Sequence, residues 1–344
     1  MESSEQKVGG TPRLGLAAFG LGLIADVQPP GAWEARPLRE PSLQIRSSVT
    51  AQAIEDSWSG LQAIGWEGVI DGAPFVVERG LEGDHRFVHG AQPDQSGTSL
   101  DGGGTPSNAI RAVHHLSADA SVLQCAPADP AEQSWWRVVL DSVLFTVALL
   151  QGYEALHAGA LATPDGVIAI TAASGGGKST LLTELLGRGL ALMADDVLVL
   201  DSRGTAPPLA HPAPPLMTVP TASIPTLREA GPPETISSLE DERWIAVPVY
   251  PEPLPLKALV VLDRRPGSQR SGSQSSGFAS IEKIDDPLAP LLGSLMNFPR
   301  SPARERARFE LASVLACTTT LWRLTADLDT PPDVLADTLL TGAL

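Results

Sequence analysis

A glycine-rich turn between an apolar strand and an amphipathic helix constrains this chain more than any other stretch. The segment Ala172–Asp196 reads AASGGGKSTLLTELLGRGLALMADD. Gly175, Gly176 and Gly177 let the backbone turn sharply and approach a ligand closely. A turn of this kind at the start of a helix aims backbone N–H groups and the positive end of the helix dipole at an anion. The stretch therefore predicts a strand–loop–helix unit in an α/β fold, with a phosphate site at the loop.

The lysine and serine after the glycines belong to the P-loop (Walker A) pattern, G-x-x-x-x-G-K-[ST]. In that pattern the lysine reaches the β- and γ-phosphates of a nucleotide, and the hydroxyl binds Mg²⁺. Lys178 and Ser179 occupy those positions here, whereas Ala172 stands where the pattern has its first glycine. The alanine adds one methyl group and narrows the backbone choices, which is a modest departure. The pattern predicts a nucleotide-dependent phosphotransferase.

Two adjacent acidic residues follow the next apolar strand. Asp195 and Asp196 lie between the apolar runs Leu190–Ala194 and Val197–Leu200. A carboxylate at such a strand end is where P-loop proteins hold Mg²⁺. Neighbouring residues of a strand project to opposite faces, so we expect the two acids to have different roles. One can serve the metal, and the other can take the proton of an attacking hydroxyl.

Composition and charge exclude several classes of protein. The chain has 344 residues, of which 43% are hydrophobic and 19% charged, and this is typical of a globular protein. A formal net charge of −16 argues against binding to nucleic acid or to an anionic membrane. The apolar run Leu14–Ile24 is too short to span a bilayer, and we expect it to form a first β-strand. An ATP-using enzyme of this composition is expected in the cytoplasm.

Strand and helix signals divide the chain into three parts. Residues 1–130 show short strand-like runs between Gly, Pro and Asp residues, which predict a small, mostly β N-terminal domain. Residues 131–154 predict a buried connecting helix, with Arg137 and Asp141 as the charges in its middle. Residues 155–344 alternate between strand and helix patterns and predict the α/β catalytic domain.

Some local predictions concern segments beside these main elements. Residues 1–13 are expected to form a loose tail, and Gln92–Ser107 is expected to form a flexible loop. Ala155–Leu161 is predicted as one strand. The proline-rich stretch Pro207–Pro233 is predicted to be largely irregular, because proline interrupts both helices and sheet ladders.

A histidine ahead of the glycine turn completes a familiar set of motifs. The sequence runs from H-A-G at His157, through S-G-G-G-K-S-T at Ser174, to R-G-L-A-L-M-A-D-D at Arg188. These elements, in this order and spacing, resemble the C-terminal catalytic domain of HPr kinase/phosphorylase. The resemblance implies a P-loop kinase domain of the HPr kinase/PEP carboxykinase type. The family's later E-I-R-G-L-G signature is absent here, which leaves dephosphorylating activity and the acceptor open.

More of the chain is similar to HPr kinase-like proteins encoded beside lasso-peptide and other peptide-modifying genes. The shared features are LLQGYEALHAGALA, which starts at Leu149, and the P-L-P-L-x-A-L-x-x-L strand Pro253–Leu262. Some of these proteins phosphorylate a serine hydroxyl on a precursor peptide. The resemblance therefore implies a peptide or protein acceptor with a serine or threonine hydroxyl.

The resemblance also implies a role for each matching residue. Asp195 is the implied proton acceptor, Lys178 a catalytic residue, and His157 a supporting catalytic residue. Ser179 and Asp196 are the implied ligands of Mg²⁺. The implied contacts to ATP come from Ser174, Gly175, Gly176, Gly177, Lys178, Ser179 and Thr180.

Three hypotheses for function remain at this point. The first is an ATP-dependent kinase for a peptide or protein hydroxyl, with a lasso-type precursor peptide as one candidate acceptor. The second is a non-enzymatic ATP-binding switch that regulates a partner, and the third is a kinase for a small metabolite. No nucleic acid or membrane partner is expected. The sequence allows a homo-oligomer and does not decide the oligomeric state.

Overall fold

Two large β-sheets, a small sheet and several helices form a mixed α/β structure. The computed structural model describes residues 14–37, 41–47, 49–70, 73–90, 110–131, 134–204, 207–230, 233–239, 241–266, 278–297 and 301–343. The tail predicted at 1–13 and the loop predicted at Gln92–Ser107 lie outside the described residues. The α-helices are α1 (Ala51–Ser57), α2 (Ser134–Val138), α3 (Leu144–Leu150), α4 (Lys178–Gly187), α5 (Leu288–Ser294), α6 (Pro302–Thr318) and α7 (Pro332–Ala343).

The first large sheet is built from the front part of the chain. Its strands are β1 (Leu14–Ala18), β2 (Leu21–Ala25), β3 (Arg36–Pro37), β4 (Ser42–Arg46), β5 (Leu61–Ile70), β6 (Ala73–Gly80), β7 (His85–Gly90), β8 (Ile110–Leu116) and β9 (Val122–Pro127). They lie in the order β3-β1-β2-β4-β9-β8-β7-β6-β5. Along β6, Phe75 and Val77 are buried while Pro74 is exposed, which is the alternation expected of a strand with one covered face.

The second large sheet and a small three-stranded sheet come from the rear part of the chain. The strands are β10 (Glu154–His157), β11 (Gly159–Thr163), β12 (Gly166–Ala172), β13 (Ala191–Ala194), β14 (Val197–Asp201), β15 (Leu209–His211), β16 (Leu216–Pro220), β17 (Thr235–Leu239), β18 (Glu242–Ala246), β19 (Leu254–Arg265), β20 (Ala279–Lys283) and β21 (Thr320–Asp327). The large sheet has the order β10-β14-β15-β19-β12-β11-β13, with β21 beside β19 and β20 beside β21. The small sheet has the order β16-β18-β17.

Strand β12, which leads into the glycine turn, is buried on both faces. Val167 and Ala169 belong to one hydrophobic cluster, whereas Ile168 and Ile170 belong to a second cluster that includes residues of α4 and α7. Strand β12 pairs in parallel with β19. A parallel strand covered on both sides is expected to be apolar throughout, and the sequence GVIAITA has this character. The burial fixes β12 firmly and so fixes the loop that follows it.

The connecting helix is present, but it is not a regular α-helix. A π-helical segment, Val139–Val143, separates α2 from α3. Leu140 and Leu144 on this helix are fully buried in a hydrophobic cluster that also holds residues of both large sheets. π-Helical turns widen a helix locally and occur frequently at functional sites. Asp141 of this segment lines the cleft described below.

The predicted first strand, Leu14–Ile24, is wrong in one respect, because the structure has a hairpin there. Strands β1 and β2 pair in antiparallel fashion. The turn between them is Phe19-Gly20, with φ values of 55° and 80°. Two consecutive residues at positive φ match the tight turns that suit the twist of a hairpin.

Two further local predictions are also wrong. Ala155–Leu161 forms two strands rather than one, because β10 pairs with β14 whereas β11 pairs with β12 and β13. The chain thus changes neighbours at Ala158. The stretch Pro207–Pro233 contains β15, β16 and a 3₁₀-helix, Thr221–Ala230. Its prolines are tolerated at a strand end and inside the 3₁₀-helix, where a fixed φ fits the backbone.

In the part of the chain that the structure describes, no helix has both the length and the apolar character needed to cross a membrane.

Candidate functional site

The glycine turn lies between β12 and α4, as the sequence predicts. Gly175 and Gly177 have φ values of 71° and 87°, a left-handed conformation that residues with a side chain rarely adopt. The amide of Gly176 donates to the carbonyl of Ala173 at 2.8 Å and closes the turn. Helix α4 begins at Lys178, immediately after this turn. Its first N–H groups have no partner within the helix, and they are therefore available to an anion.

Packing behind the helix explains why the turn sits at this position. Leu181, Leu182 and Leu185 of α4 are fully buried against the sheet. A methyl group built on Gly159 of β11 would lie 2.2 Å from Leu182 Cδ1 and 2.6 Å from the carbonyl oxygen of Asp195. Only a glycine at this position lets β11, α4 and the acidic turn approach so closely. The glycine of the H-A-G motif therefore has a structural role in the site.

The two adjacent acids lie in the turn between β13 and β14, and their carboxylates have different partners. Asp195 Oδ2 accepts a hydrogen bond of 2.8 Å from the amide of Thr218 on β16. Asp195 Oδ1 is buried and has no hydrogen-bond partner among the described residues. The Asp196 side chain is 59% exposed and contacts Lys178. The two acids therefore lie in different surroundings, and the expectation that they have different roles stays a prediction.

Lysine and histidine side chains converge on the same acidic turn. Lys178 Nζ forms an ion pair with the Asp196 carboxylate and donates to the carbonyl of Asp195 at 3.3 Å. His157 Nδ1 lies 3.4 Å from Asp196 Oδ2. His157 ends β10, and its carbonyl accepts from Thr171 Oγ1 at 3.0 Å, which ties that strand end to β12. Residues 21 positions apart in the chain, Lys178 and His157, are therefore joined through one carboxylate.

Burial changes the acidity of Asp195. Removal of its carboxyl group from water raises the pKa from 3.8 to about 7, and the negative charge of Asp196 adds to this effect. The charge of Lys178, the amide of Thr218 and the charge of Arg137 act in the opposite direction. Desolvation outweighs these effects because the Asp195 carboxyl group is enclosed. Its cationic neighbours are also paired with other carboxylates, Lys178 with Asp196 and Arg137 with Asp141. A carboxyl group of this kind can exchange a proton near neutral pH.

These residues line one cleft with a volume of 510 Å³, within the range of about 300–1,000 Å³ found for small-molecule sites. All of the site residues expected from the sequence lie in its wall: His157, Ser174, Gly175, Gly176, Gly177, Lys178, Ser179, Thr180, Asp195 and Asp196. The cleft also has wall residues that the sequence analysis did not assign to a site: Phe19, Arg137, Asp141, Thr218, Glu242 and Trp244.

Arg137 comes from the last turn of α2, and Asp141 comes from the π-helical segment that follows it. Arg137 Nη2 lies 3.4 Å from Thr218 Oγ1, and Arg137 Nε lies 3.6 Å from Asp141 Oδ2. Thr218 is also the residue whose amide donates to Asp195. A guanidinium group thus contacts the residue that holds Asp195, and its charge acts on that carboxyl group. Two charges in the middle of an otherwise apolar helix were the signal in the sequence that could have found these residues.

Phe19 brings the front sheet into the same cleft. It occupies the turn between β1 and β2 with a φ of 55°, which is rare for a residue with a large side chain. Its amide donates to the carbonyl of Pro212 at 2.7 Å, and its side chain is 3% exposed. The cleft is therefore formed by both large sheets and by the helix between them.

Histidines of the front sheet do not form a metal centre. His115 Nε2 lies 2.9 Å from Asp84 Oδ2, and His89 Nε2 lies 3.0 Å from the carbonyl of Ile70. Burial lowers the pKa of His114 to about 3, so this side chain is neutral. Within the described ranges, no three or more His, Cys, Asp or Glu side chains are grouped closely enough to hold a metal ion.

Comparison with known proteins gives a distant structural likeness. No protein-family model matches the chain, and no curated protein matches it. Among solved structures, the chain is similar to the HPr(Ser) kinase/phosphatase from Coxiella burnetii at 14% identity. The match covers 55% of this chain and 95% of that chain, with a TM-score of 0.28. A likeness of this size carries no conclusion about the activity of this chain, which must be argued from the cleft itself.

Proposed function

We propose that this protein is an ATP-dependent kinase that phosphorylates a serine or threonine hydroxyl of a peptide or protein. The observation that carries the proposal is the burial of the Asp195 carboxyl group and its raised pKa. Its Oδ1 is buried without a partner among the described residues, and its pKa is about 7. A carboxyl group that is partly ionised at neutral pH and has a free acceptor oxygen suits the general base for a hydroxyl.

The glycine turn supports ATP as the donor. The first amides of α4 and the Lys178 ammonium group lie on one side of the cleft and suit the β- and γ-phosphates. Gly176 allows the turn to close this tightly, because a side chain there would meet the Ala173 carbonyl at 2.8 Å. In a chain with a net charge of −16, this local field is needed to attract a triphosphate.

The donor set also suits Mg²⁺, a hard cation that prefers oxygen ligands. Ser179 at the start of α4 and the exposed carboxylate of Asp196 would hold it, with further ligands from the phosphates. When bound, Mg²⁺ neutralises charge on the phosphates. His157 supports Asp196 from the other side through the contact at Nδ1. Lys178, which pairs with Asp196 in this structure, then moves its charge toward the phosphates.

The proposed reaction is a direct in-line transfer. Asp195 Oδ1 accepts the proton of the acceptor hydroxyl, and the hydroxyl oxygen forms a bond to the γ-phosphorus. The bond between the γ-phosphorus and the bridging oxygen of ADP breaks, and ADP leaves with that electron pair. Transfer of this kind depends on positioning and charge neutralisation more than on covalent chemistry of the protein. The residues of the cleft supply both.

Two features support a peptide or protein acceptor. The order of the H-A-G, glycine-turn and A-D-D motifs resembles HPr kinase-like proteins, some of which act on precursor peptides. The cleft is also lined by Phe19, Arg137 and Trp244, and two of these come from outside the rear part of the chain. Because ATP is abundant in the cytoplasm, we propose that the reaction takes place there.

The test is incubation with ATP labelled in the γ-phosphate and with peptides encoded by the neighbouring genes, followed by mass spectrometry. We expect phosphate on a serine or threonine side chain. Lys178→Ala is expected to reduce transfer roughly 100-fold or more, because it removes a charge from the transferring group. Lys257→Ala, which removes an exposed lysine outside the cleft, is the matched control and should leave the rate unchanged.

A clear negative result has a specific meaning. Tight ATP binding with no phosphorylated hydroxyl on any peptide would contradict the kinase and favour the ATP-binding switch. Transfer to a small hydroxyl metabolite, with none to peptides, would contradict the peptide acceptor alone.

A further inference from the structure

The strands that end at the cleft place the nucleotide in a definite direction. Strand β12 lies between β11 and β19, and β13 lies beyond β11. Strands β12, β13 and β19 all run the same way, because β11 is antiparallel to both β12 and β13, and β19 is parallel to β12. Their carboxyl ends therefore share one edge of the sheet. The acidic turn follows β13 on one flank of the glycine turn, and the end of β19 lies on the opposite flank.

This order fixes which end of a nucleotide faces each flank. The γ-phosphate must lie beside Asp195, since the acceptor hydroxyl is deprotonated there. The α-phosphate and nucleoside must then extend past the start of α4 toward the end of β19. Arg264 and Arg265 are the last residues of that strand.

Arg264 is held against the glycine turn. Its Nη2 donates to the carbonyls of Asp327 at 3.1 Å and Thr330 at 2.9 Å, and also to the carbonyl of Leu328. A methyl group built on Gly177 would lie 3.2 Å from Arg264 Nη1 and 3.6 Å from Arg264 Cδ. The guanidinium group is therefore anchored at one end and faces the phosphate loop at the other.

Two donor groups of Arg264 have no hydrogen-bond partner among the residues that the structure describes. Its Nε is buried without a hydrogen-bond partner, and Nη1 makes no hydrogen bond to any residue within the described ranges. A buried guanidinium N–H without an acceptor is unfavourable, because charged donors lose more on leaving water than neutral ones. Arginine also presents its donors as a rigid fork that matches the oxygens of phosphates. Because the guanidinium group also faces the glycine turn, a phosphate oxygen there would suit these donors.

Arg265, the residue after Arg264, has a different environment. Successive residues of a strand project to opposite faces, so Arg265 points away from the glycine turn. Its Nε donates to Asp263 Oδ2 at 2.9 Å, and the side chain is 62% exposed. Two adjacent residues of the same type are thus placed in different environments. Of these two arginines, Arg264 is the one that lies against the glycine turn.

We infer that Arg264 is a nucleotide-binding residue that contacts the α- and β-phosphates from the flank opposite Lys178. The inference rests on the proposed function, in that it names a contact for the same nucleotide. Arg264 thereby sets the direction in which ATP lies in the cleft. It also couples the turn 327–330 to nucleotide binding, because that turn supplies the carbonyls that hold the guanidinium group.

The test is isothermal titration of ATP, ADP and tripolyphosphate into the full chain and two variants. Arg264→Ala is expected to weaken all three ligands by roughly 10- to 100-fold, the size of a lost charge-assisted contact. Arg265→Ala removes the same charge one position along the chain, and we expect its affinities to stay within about twofold of wild type, the size of a surface charge effect. If Arg264→Ala does not fold, Arg264→Gln, which keeps a donor for the turn 327–330, takes its place.

The ligand series separates a phosphate contact from other roles. Loss of affinity for ATP and ADP with unchanged tripolyphosphate binding would overturn the inference, because the contact would then be to the nucleoside. Equal affinities in wild type and Arg264→Ala would overturn it as well, and would leave the proposed function intact. Wild-type protein that binds none of the three ligands would contradict the proposed function and this inference with it. If Arg264 has only a structural role, Arg264→Ala should lower the melting temperature but leave the affinities for ATP, ADP and tripolyphosphate unchanged.

Discussion

Asp195 illustrates how one carboxyl group can be prepared for chemistry by its surroundings. Strand β13 ends in a buried position, and the amide of Thr218 takes one carboxylate oxygen while the other has no partner among the described residues. Asp196, one residue later, remains exposed. Two identical side chains therefore lie in different environments, and we propose that Asp195 is the base and Asp196 the metal ligand.

The first consequence concerns the pH dependence of activity. A general base must be ionised, and burial sets the pKa of Asp195 at about 7. We expect kcat/KM for the acceptor to rise with pH and to level off above about 7, since this parameter reports the free enzyme. A pH–rate profile measures it. A profile that is flat between pH values well below and well above 7 would contradict the assignment of the base.

The second consequence concerns the pH dependence of stability. The pKa of Asp195 is raised from 3.8 to about 7 in the folded state, so the folded protein binds more protons than the unfolded chain between these values. Its contribution to stability is present below pH 3.8 and is lost as pH rises through about 7. The free energy of unfolding of wild type, relative to Asp195→Asn, should therefore fall across this range. Denaturant titrations at several pH values measure it, and an opposite slope would show that burial does not dominate.

At the scale of elements, a buried ion pair joins the start of β10 to α6. Arg304 Nη2 lies 2.8 Å from Glu154 Oε2, and Arg304 Nη1 also donates to the carbonyl of Leu149 at 3.1 Å. Burial raises the pKa of Glu154 and lowers that of Arg304, so desolvation outweighs the attraction between them. Such a pair fixes the position of β10 relative to α6 and lowers the free energy of unfolding compared with an apolar contact.

A set of variants tests this description of the pair. Arg304→Met should lower the free energy of unfolding by about 3–5 kcal/mol, because it leaves the Glu154 carboxylate buried and unpaired. Adding Glu154→Leu should restore part of the loss, since both charges are then absent. Equilibrium unfolding in urea gives the values. Losses that simply add in the double variant would contradict the buried pair.

The sequence predicts some elements better than others, for physical reasons. Local patterns are sufficient for the glycine turn and α4, because apolar periodicity and backbone freedom specify them directly. The prediction of Ala155–Leu161 as a single strand fails, because a change of neighbouring strand leaves no mark on local hydrophobicity. The prediction that Pro207–Pro233 is largely irregular is wrong for a similar reason, because pairing with distant strands is not visible in local sequence. Strand β16 forms because it needs to pair on one side only, with β18.

Long-range contacts limit what the sequence predicts about the site. Lys178, Asp195 and Asp196 lie close together in sequence, and their motifs place them in one cleft. Phe19 and Arg137 enter the same cleft from distant parts of the chain, through a hairpin turn and the end of α2. The turn at Phe19 has no reliable local signal, and the charge of Arg137 in an apolar helix does not show which site it faces. Part of the cleft is therefore visible only in the folded structure.

At the scale of the whole molecule, one hydrophobic cluster connects the front sheet, the connecting helix and the rear sheet. It contains Leu23 of β2, Leu140 and Leu144 of the helix, and Leu198 of β14. The shared cluster positions Phe19 and Arg137 relative to Asp195. The prediction of residues 1–130, 131–154 and 155–344 as separate parts stays a prediction. The shared cluster gives a physical reason for these parts to unfold together.

We therefore expect a single unfolding transition. Leu140→Ala should lower the free energy of unfolding by about 2–5 kcal/mol and shift the whole transition, because its side chain is fully buried between the sheets. Leu81→Ala is the control, since Leu81 is 63% exposed. Circular dichroism and tryptophan fluorescence should report the same midpoint. Two separate transitions, only one of which responds to Leu140→Ala, would show that the sheets unfold independently.

The most direct test of the account compares ATP binding and phosphoryl transfer in the same samples of wild type and Asp195→Asn. Asparagine keeps the shape of the side chain and an oxygen for the Thr218 amide, but it does not act as a base. We expect ATP binding to stay near the wild-type level and transfer to fall by roughly 100- to 10,000-fold, the range for loss of a general base. Asp201→Asn, outside the cleft, should retain both properties. Transfer by Asp195→Asn at the wild-type rate would contradict the account.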